Sequence, residues 1–333
     1  MKKKIICTLG PSTLNKKTLK SLIKSNVDIF RYNLSHLNKK SLEFNLKNFK
    51  FLNSKVCIDT EGAQVRTTKV KKKFFLKKNK KIMIKNNQDF TTSKIINLYP
   101  KINFSNSKPG DKILIGFDDL ELKILKIDKN QILAEVIVNG YVDSNKGVHF
   151  NRKIRLDFLT KKDLECIKLA KTFGINKFAL SFTNSLQDVL KFRKIIGNRS
   201  FLISKIETRE ALKNLDSILK NSNAILIDRG DLSRYVEVSK IPLIQLKILK
   251  RSLKFKKEVY VATNLVETMV SSKSPTRAES NDIFFSLISG ASGLVLAAET
   301  AIGKYPIECV QFIKKCILAF TKYQKKKSSI QEY

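Results

Sequence analysis

Tryptophan is absent from this 333-residue chain, and cysteine, proline and glycine are sparse at five, six and twelve. The cysteines (Cys7, Cys57, Cys166, Cys309 and Cys316) are odd in number and form no C-x-x-C pair. That excludes a disulfide framework and fits small apolar residues kept reduced in a cytoplasmic protein. No apolar run approaches the ~18 residues of a membrane span. The basic opening MKKKIICTLGPS has too short an apolar stretch for a signal peptide. The two histidines lack metal-ligand spacing. There is no Walker A pattern, no kinase-type glycine-rich loop and no G-x-G-x-x-G, so a nucleotide must be held in some other way. Internal repeats and Pro/Gly/Ser linkers are missing as well.

Acidic residues are scarce too: 29 Asp and Glu face 65 Lys and Arg, a net charge of +36. Such an excess suggests nucleic-acid binding. Yet the lysines recur in nearly every segment and accompany many Ile, Asn and Phe. These residues share A/T-rich codons, so a coding bias accounts for the set without a ligand, and no specific nucleic-acid partner is expected. Charge of this kind governs solubility and non-specific contacts. An apolar share of 42% against 28% charged excludes a disordered chain. The length suits two domains, or one large barrel carrying an insert.

Strand-like and helical stretches alternate from the start. IICTLG (5–10), DIFRYNLS (28–35), KVCIDTEG (55–62), NKFALSF (176–182), FLISKIE (201–207), AILIDRGDL (224–232), EVYVATN (258–264) and GLVLAAET (293–300) read as strands, with helical segments between them. Eight such units predict an α/β fold, a closed (β/α)8 TIM barrel. Residues 68–150 interrupt the rhythm with β-type runs and no helix, and Asp128-Lys129-Asn130 reads as a hairpin turn. This predicts a small antiparallel β domain inserted after the third strand, with the barrel formed by 1–67 and 151–333. The barrel portion then has about 250 residues, the usual size for this fold.

A barrel of this type carries its active site at the C-terminal ends of its strands. There the sequence places Arg31, Asn33, Ser35 and His36; Asp59, Thr60 and Arg66; Lys205 and Glu207; Arg229 and Asp231; Thr263; and Glu299. Lys205 and Glu207 stand two apart on one strand and share a face. Burying so many charges without a ligand would cost several kcal/mol each. Two carboxylates suit a Mg²⁺ ion that shares oxygens with substrate, and Arg31, Arg66 and Lys205 suit phosphate groups. The constellation points to metal-assisted phosphoryl transfer or to enolate chemistry on an anionic substrate.

ICTLGPST, FRYNLSH, IDTEGAQVRT, SKIET, DRGDLS, VATNLVETM, SPTRAESND and AAETAIGKYP resemble the successive motifs of the pyruvate kinase family, in that family's order and with the insert in its position. The resemblance implies transfer of the phosphoryl group of phosphoenolpyruvate to ADP, giving pyruvate and ATP. It also implies roles for individual residues. Glu207 and Asp231 hold Mg²⁺ or Mn²⁺, and Lys205 and Arg31 face the transferring phosphoryl group. Gly230, Asp231 and Thr263 hold the substrate carboxylate. Asn33, Ser35, Asp59 and Thr60 hold K⁺, and Asn33, His36, Arg66 and Lys146 contact the nucleotide. The insert resembles the family's lid, which closes over the cleft. Thr276, Arg277 and Glu279 read as an architectural helix start with an Arg–carboxylate contact.

Departures accompany the match. Neutral Gln64 stands where the family has Glu or Lys, a choice tied to K⁺ dependence. Ala297-Ala298 replaces Ser-Gly and removes a hydroxyl. The lid's DDG is Asp118-Asp119-Leu120 here. The chain ends after the eighth helix, so the family's regulatory C-terminal domain is expected to be absent. That implies hyperbolic kinetics without sugar-phosphate activation, and any homodimer would use barrel faces. Two alternatives stay open on the residues alone: a catalytically degenerate relic that binds nucleic acid, and another phosphoenolpyruvate or pyruvate enzyme on the same barrel.

Overall fold

The computed structural model describes residues 2–330, apart from 88, 117–119, 129, 153 and 155. In chain order the first elements are β1 (Lys4–Thr8), α1 (Lys16–Lys24), β2 (Ile29–Asn33), α2 (Lys39–Asn48) and β3 (Val56–Asp59). Nine short strands follow: β4 (Val65–Thr67), β5 (Phe74–Leu76), β6 (Lys81–Lys85), β7 (Ile95–Tyr99), β8 (Lys112–Ile115), β9 (Leu120–Asp128), β10 (Gln131–Val138), β11 (Gly140–Val142) and β12 (Gly147–Phe150). Alternation then resumes with α3 (Lys161–Thr172), β13 (Lys177–Leu180), α4 (Leu186–Ile196), β14 (Phe201–Ile206), α5 (Arg209–Lys213), α6 (Leu215–Asn221) and β15 (Ala224–Asp228). Last come α7 (Arg229–Leu232), α8 (Ile241–Lys254), β16 (Glu258–Ala262), α9 (Arg277–Ile288), β17 (Gly293–Leu296), α10 (Ala298–Ala301) and α11 (Pro306–Ile330).

Strands β1, β2, β3 and β13 to β17 close into a parallel TIM barrel in the order β1-β17-β16-β15-β14-β13-β3-β2. Its interior is filled by one inward residue after another: Ile6, Ile29, Cys57, Ala179, Ile203, Leu226, Tyr260 and Val295. Closure between first and last strand needs a glycine. Gly293 pairs with Lys4, and a Cβ at Gly293 would lie 2.6 Å from the Lys4 carbonyl oxygen. The surrounding helices start where the sequence supplies caps. Asn15 caps α1, Asn38 caps α2, and Ser185 with Asp188 forms a capping box on α4. Thr276 and Glu279 form a second box on α9. Glu279 is spent on the backbone N–H groups of Thr276 and Thr268 rather than on Arg277.

Two predicted strands end early. The RGDL of AILIDRGDL turns into α7, and the AET of GLVLAAET into α10. Their polar residues therefore stand on the first turns of short helices, not on strands.

The chain forms two compact units, 1–61 with 161–333, and 62–160. The sequence reading assigned 62–67 and 151–160 to the barrel. Val65–Thr67 instead forms β4, which pairs with β7 and β12 of the second unit. That unit holds a closed seven-stranded barrel, β10-β6-β7-β4-β12-β8-β9, and a two-stranded sheet of β11 and β5. Its own core includes Ile84, Ile96, Ile113, Leu122, Ile132 and Val136. One pair departs from the expected antiparallel pattern: β6 and β7 run parallel, Met83 opposite Ile95. A parallel pair cannot be joined by a tight reversing turn. Asp128 pairs with Gln131, while Lys129 of the predicted turn lies outside the described residues, as do Asp118 and Asp119. Among the described residues no helix is long and apolar enough to cross a membrane.

Candidate active site

The C-terminal ends of β1, β2, β3, β14 and β15 bring Thr8, Arg31, Asp59, Lys205 and Asp228 together inside the TIM barrel. Arg31 is buried. Its Nε donates to the Thr8 hydroxyl at 2.9 Å and one terminal nitrogen lies 3.0 Å from Asp59 Oδ2. Lys205 is buried too, with its Nζ 2.8 Å from Glu207 Oε1, 3.4 Å from Asp228 Oδ2 and 3.5 Å from Asp59 Oδ2. The ammonium also donates to the Ser181 hydroxyl at 3.1 Å. Ser181 in turn lies 3.2 Å from Asp59 Oδ1 and 2.7 Å from the Thr60 carbonyl oxygen.

Glu207 is fully buried, and its second oxygen accepts the Phe182 N–H at 2.5 Å. Among the described residues, Glu207, Asp228 and Asp231 each bring a carboxylate oxygen within 4.8 Å of the others. Burial pushes the Glu207 carboxyl up to about 8, with the neighbouring Asp231 and Asp228 adding and Lys205 opposing. Burial also works against the Asp228 charge, but the Lys205 ammonium and the Thr263 hydroxyl outweigh it and hold that carboxyl below its ordinary range. For Lys205, burial favours the neutral amine. The three surrounding carboxylates prevail and raise its pKa well above that of a free lysine.

Thr263 follows β16 in the left-handed region, φ 78°, where a β-branched residue is a steric outlier. Its hydroxyl donates to Asp228 Oδ1 at 2.7 Å. Gly230, in α7, packs against it so closely that a Cβ there would lie 2.9 Å from the Thr263 methyl carbon. The barrel unit thus gathers Arg31, Asp59, Lys205, Glu207, Gly230, Asp231 and Thr263, all named from the sequence.

The remaining predicted residues are placed less centrally. Asn33 and Asp59 stand opposite each other in register on β2 and β3. The Asn33 carboxamide oxygen accepts the Ser35 N–H at 3.0 Å, which closes the loop after β2. The Thr60 hydroxyl accepts the Ser181 N–H at 3.0 Å. His36 is exposed in the barrel unit. Arg66 and Lys146 lie in the inserted unit on neighbouring strand ends, Arg66 paired with Gly147 and bonded to the Asn145 carbonyl oxygen. Two strand-end charges prove architectural. Glu299 accepts the Ala297 N–H at 2.7 Å, and Arg229 binds both oxygens of Asp282 at 2.7 Å.

Thr8, Ser181 and Asp228 were not singled out from the sequence. Ser181 and Thr8 end or follow strands at the barrel mouth, and that position was a usable signal. Asp228 precedes a helix start and reads there as an ordinary cap.

Comparison with known proteins agrees with this geometry. The description "pyruvate kinase, barrel domain" matches residues 1–310. The chain is 32% identical over 323 residues to a pyruvate kinase of Thermotoga maritima, covering 94% of this chain and 69% of that one. It is 32% identical over 335 residues to one of Buchnera aphidicola subsp. Baizongia pistaciae, covering 96% and 70%. With one of Thermococcus litoralis it shares 30% over 338 residues, covering 97% and 70%. With the TIM barrel, the inserted β unit and matches of this extent, the chain belongs to the pyruvate kinase family of glycolytic phosphotransferases.

Proposed function

We propose that this chain transfers the phosphoryl group of phosphoenolpyruvate to ADP, giving pyruvate and ATP, with a divalent cation, Mg²⁺ or Mn²⁺, held by Glu207 and Asp231. The observation that carries this reading is the cluster of three carboxylates beside Lys205. Two cations, Arg31 and Lys205, meet four carboxylates, Asp59, Glu207, Asp228 and Asp231. Glu207, Asp228 and Asp231 bring carboxylate oxygens within 4.8 Å of one another, a cluster that a divalent ion suits. Burial, with Asp231 and Asp228 adding, raises the Glu207 carboxyl, and an all-oxygen donor set suits a hard cation. Bound there, the ion would draw charge from the phosphoryl and enolate oxygens.

The chain's own groups do the rest. Lys205 faces the phosphoryl group and the enolate oxygen and offsets the charge that develops as the phosphorus–oxygen bond breaks. Arg31 is braced by Thr8 and Asp59 and presents its planar fork to the phosphoryl oxygens. Gly230 and Asp231, at the first turn of α7, and Thr263 receive the substrate carboxylate. Ala297 carries no hydroxyl, so Thr263 and ordered water pass a proton to the methylene carbon of enolpyruvate.

Asn33, Ser35, Asp59 and Thr60 offer oxygen donors to a K⁺ ion, and a carbonyl oxygen that already accepts one hydrogen bond retains a second lone pair. Toward ADP we assign Asn33 and His36 of the barrel unit; Arg66 and Lys146 are cations of a kind that suits phosphate groups. A coupled assay for pyruvate tests the reading. Pyruvate should form from phosphoenolpyruvate only when ADP and a divalent ion are both present. Release of pyruvate without ADP would place the chain with phosphatases or lyases instead.

A further inference from the structure

Asp228 stands at the N-cap position of α7, where an aspartate ordinarily accepts a backbone N–H of the first turn. Here it makes no such bond. Both of its oxygens point elsewhere: Oδ1 accepts the Thr263 hydroxyl at 2.7 Å and Oδ2 lies 3.4 Å from the Lys205 ammonium. Three neighbouring strand ends, those of β14, β15 and β16, are thereby joined through one side chain. The capping role that explains most aspartates in this position is not the role of this one.

Thr263 needs the support. Its φ of 78° and that of Asn264 at 56° place two consecutive residues in the left-handed region. Such conformations persist only where the surroundings over-determine them. Two adjacent residues at the end of β15 supply the restraint. The Arg229 guanidinium donates to the carbonyl oxygens of Ala262 and Thr263 and is itself anchored on Asp282. That fixes the Thr263 backbone and leaves its side chain to Asp228. The Thr263 methyl group is turned toward the Cα of Gly230, where a Cβ would come within 2.9 Å of it, so the hydroxyl rotamer has little freedom once Asp228 has taken it.

We propose that Asp228 is a positioning residue of the phosphoryl-transfer reaction, holding the Thr263 hydroxyl in place. It touches neither phosphoryl group nor nucleotide and acts through Thr263. The inference rests on the role given to Thr263 under the proposed function. Asp228 fixes the resting rotamer of the Thr263 hydroxyl, from which its hydrogen turns to the substrate.

A double-mutant cycle on the purified full chain tests this, with kcat and KM measured at saturating ADP and Mg²⁺ for Asp228→Ala, Thr263→Val, the double variant and Asp228→Asn. Losing the placement of a reacting group by about 1 Å costs about 100-fold, and each single variant should lose kcat on that scale. If Asp228 acts through Thr263, the double variant falls no more than about threefold below Thr263→Val, because the two changes remove one arrangement. Asp228→Asn keeps an acceptor oxygen toward Thr263 and should recover about tenfold of what Asp228→Ala loses. Multiplying losses in the double variant, of about 10,000-fold, would overturn the proposal, as would an Asp228→Asn enzyme as poor as Asp228→Ala. A Thr263→Val enzyme with undiminished kcat would overturn the role of Thr263 itself, a separable failure of the underlying reading.

Discussion

Replacing Lys205 by Met removes the cation on which the site converges and leaves a side chain of similar length. The structure sets the size and the pH dependence of the effect. The ammonium lies 2.8 Å from Glu207, 3.4 Å from Asp228 and 3.5 Å from Asp59. Asp59 keeps Arg31 at 3.0 Å, whereas Glu207 and Asp228 lose their nearest positive charge. Removing one partner of a buried ion pair costs about 3–5 kcal/mol, provided the partner is ionised. Glu207 titrates at about 8 in the folded chain, above the ordinary carboxylate range. Stability tied to its protonated form is therefore full at acid pH and is lost as pH rises through about 8. At pH 6 Glu207 is protonated, but the ionised Asp228, held below the ordinary carboxylate range, still loses its cation, and Lys205→Met should cost about 3–5 kcal/mol. At pH 9 the parent's Glu207 is ionised, whereas without the opposing ammonium the variant's carboxyl stays protonated, which adds about 1.4 kcal/mol per pH unit above 8 to the cost. Urea unfolding of both proteins without metal, at the two pH values, measures the difference. In turnover, losing one pre-aimed group that stabilises developing charge costs about 100- to 1000-fold in kcat. A destabilisation equal at pH 6 and pH 9, or a kcat within threefold of the parent, would refute the reasoning.

Other consequences can be measured separately. If Glu207 and Asp231 hold Mg²⁺, the ion must displace the proton that Glu207 holds below pH 8; titration calorimetry at pH 7 should then show an enthalpy that varies with the buffer's ionisation enthalpy, and an enthalpy independent of buffer would contradict it. If Asn33, Ser35, Asp59 and Thr60 hold K⁺, turnover should fall when K⁺ is replaced by tetramethylammonium at matched ionic strength; equal rates would remove that assignment. Cys7, Cys57, Cys166 and Cys309 are buried while Cys316 is only partly so, and burial pushes the Cys7 and Cys309 thiols up to about 12. A maleimide at pH 7.5 should therefore label Cys316 first in the folded chain, and equal labelling of all five before unfolding would show that these thiols are not packed as described.

The barrel was legible because each of its strands is a short apolar run bounded by a helical stretch, and parallel strands buried on both faces leave that pattern in the sequence. The inserted unit was read only in outline. β4, β5 and β11 have three residues each, too few for a period of two to stand out from a lysine-rich background, and the parallel pairing of β6 with β7 depends on where the chain goes between them. Lys205 and Glu207 could be found because alternate residues of a strand share a face. Asp228 could not, because D-R-G-D reads as a cap followed by a helix turn. Only the coordinates show its carboxylate turned away from α7 and toward Thr263. Thr8 and Ser181 carry no charge, and a hydroxyl at a strand end is unremarkable until Arg31 and Lys205 are seen to rest on it.

The most direct test of the central claim follows phosphorus rather than pyruvate. With purified chain, phosphoenolpyruvate, ADP and Mg²⁺, phosphorus NMR should show the phosphoenolpyruvate signal lost and the ATP γ-phosphate gained one for one. In Glu207→Gln the exchange should slow by at least about 100-fold. Inorganic phosphate appearing in place of ATP, or an undiminished rate in Glu207→Gln, would contradict the assignment of this site to phosphoryl transfer.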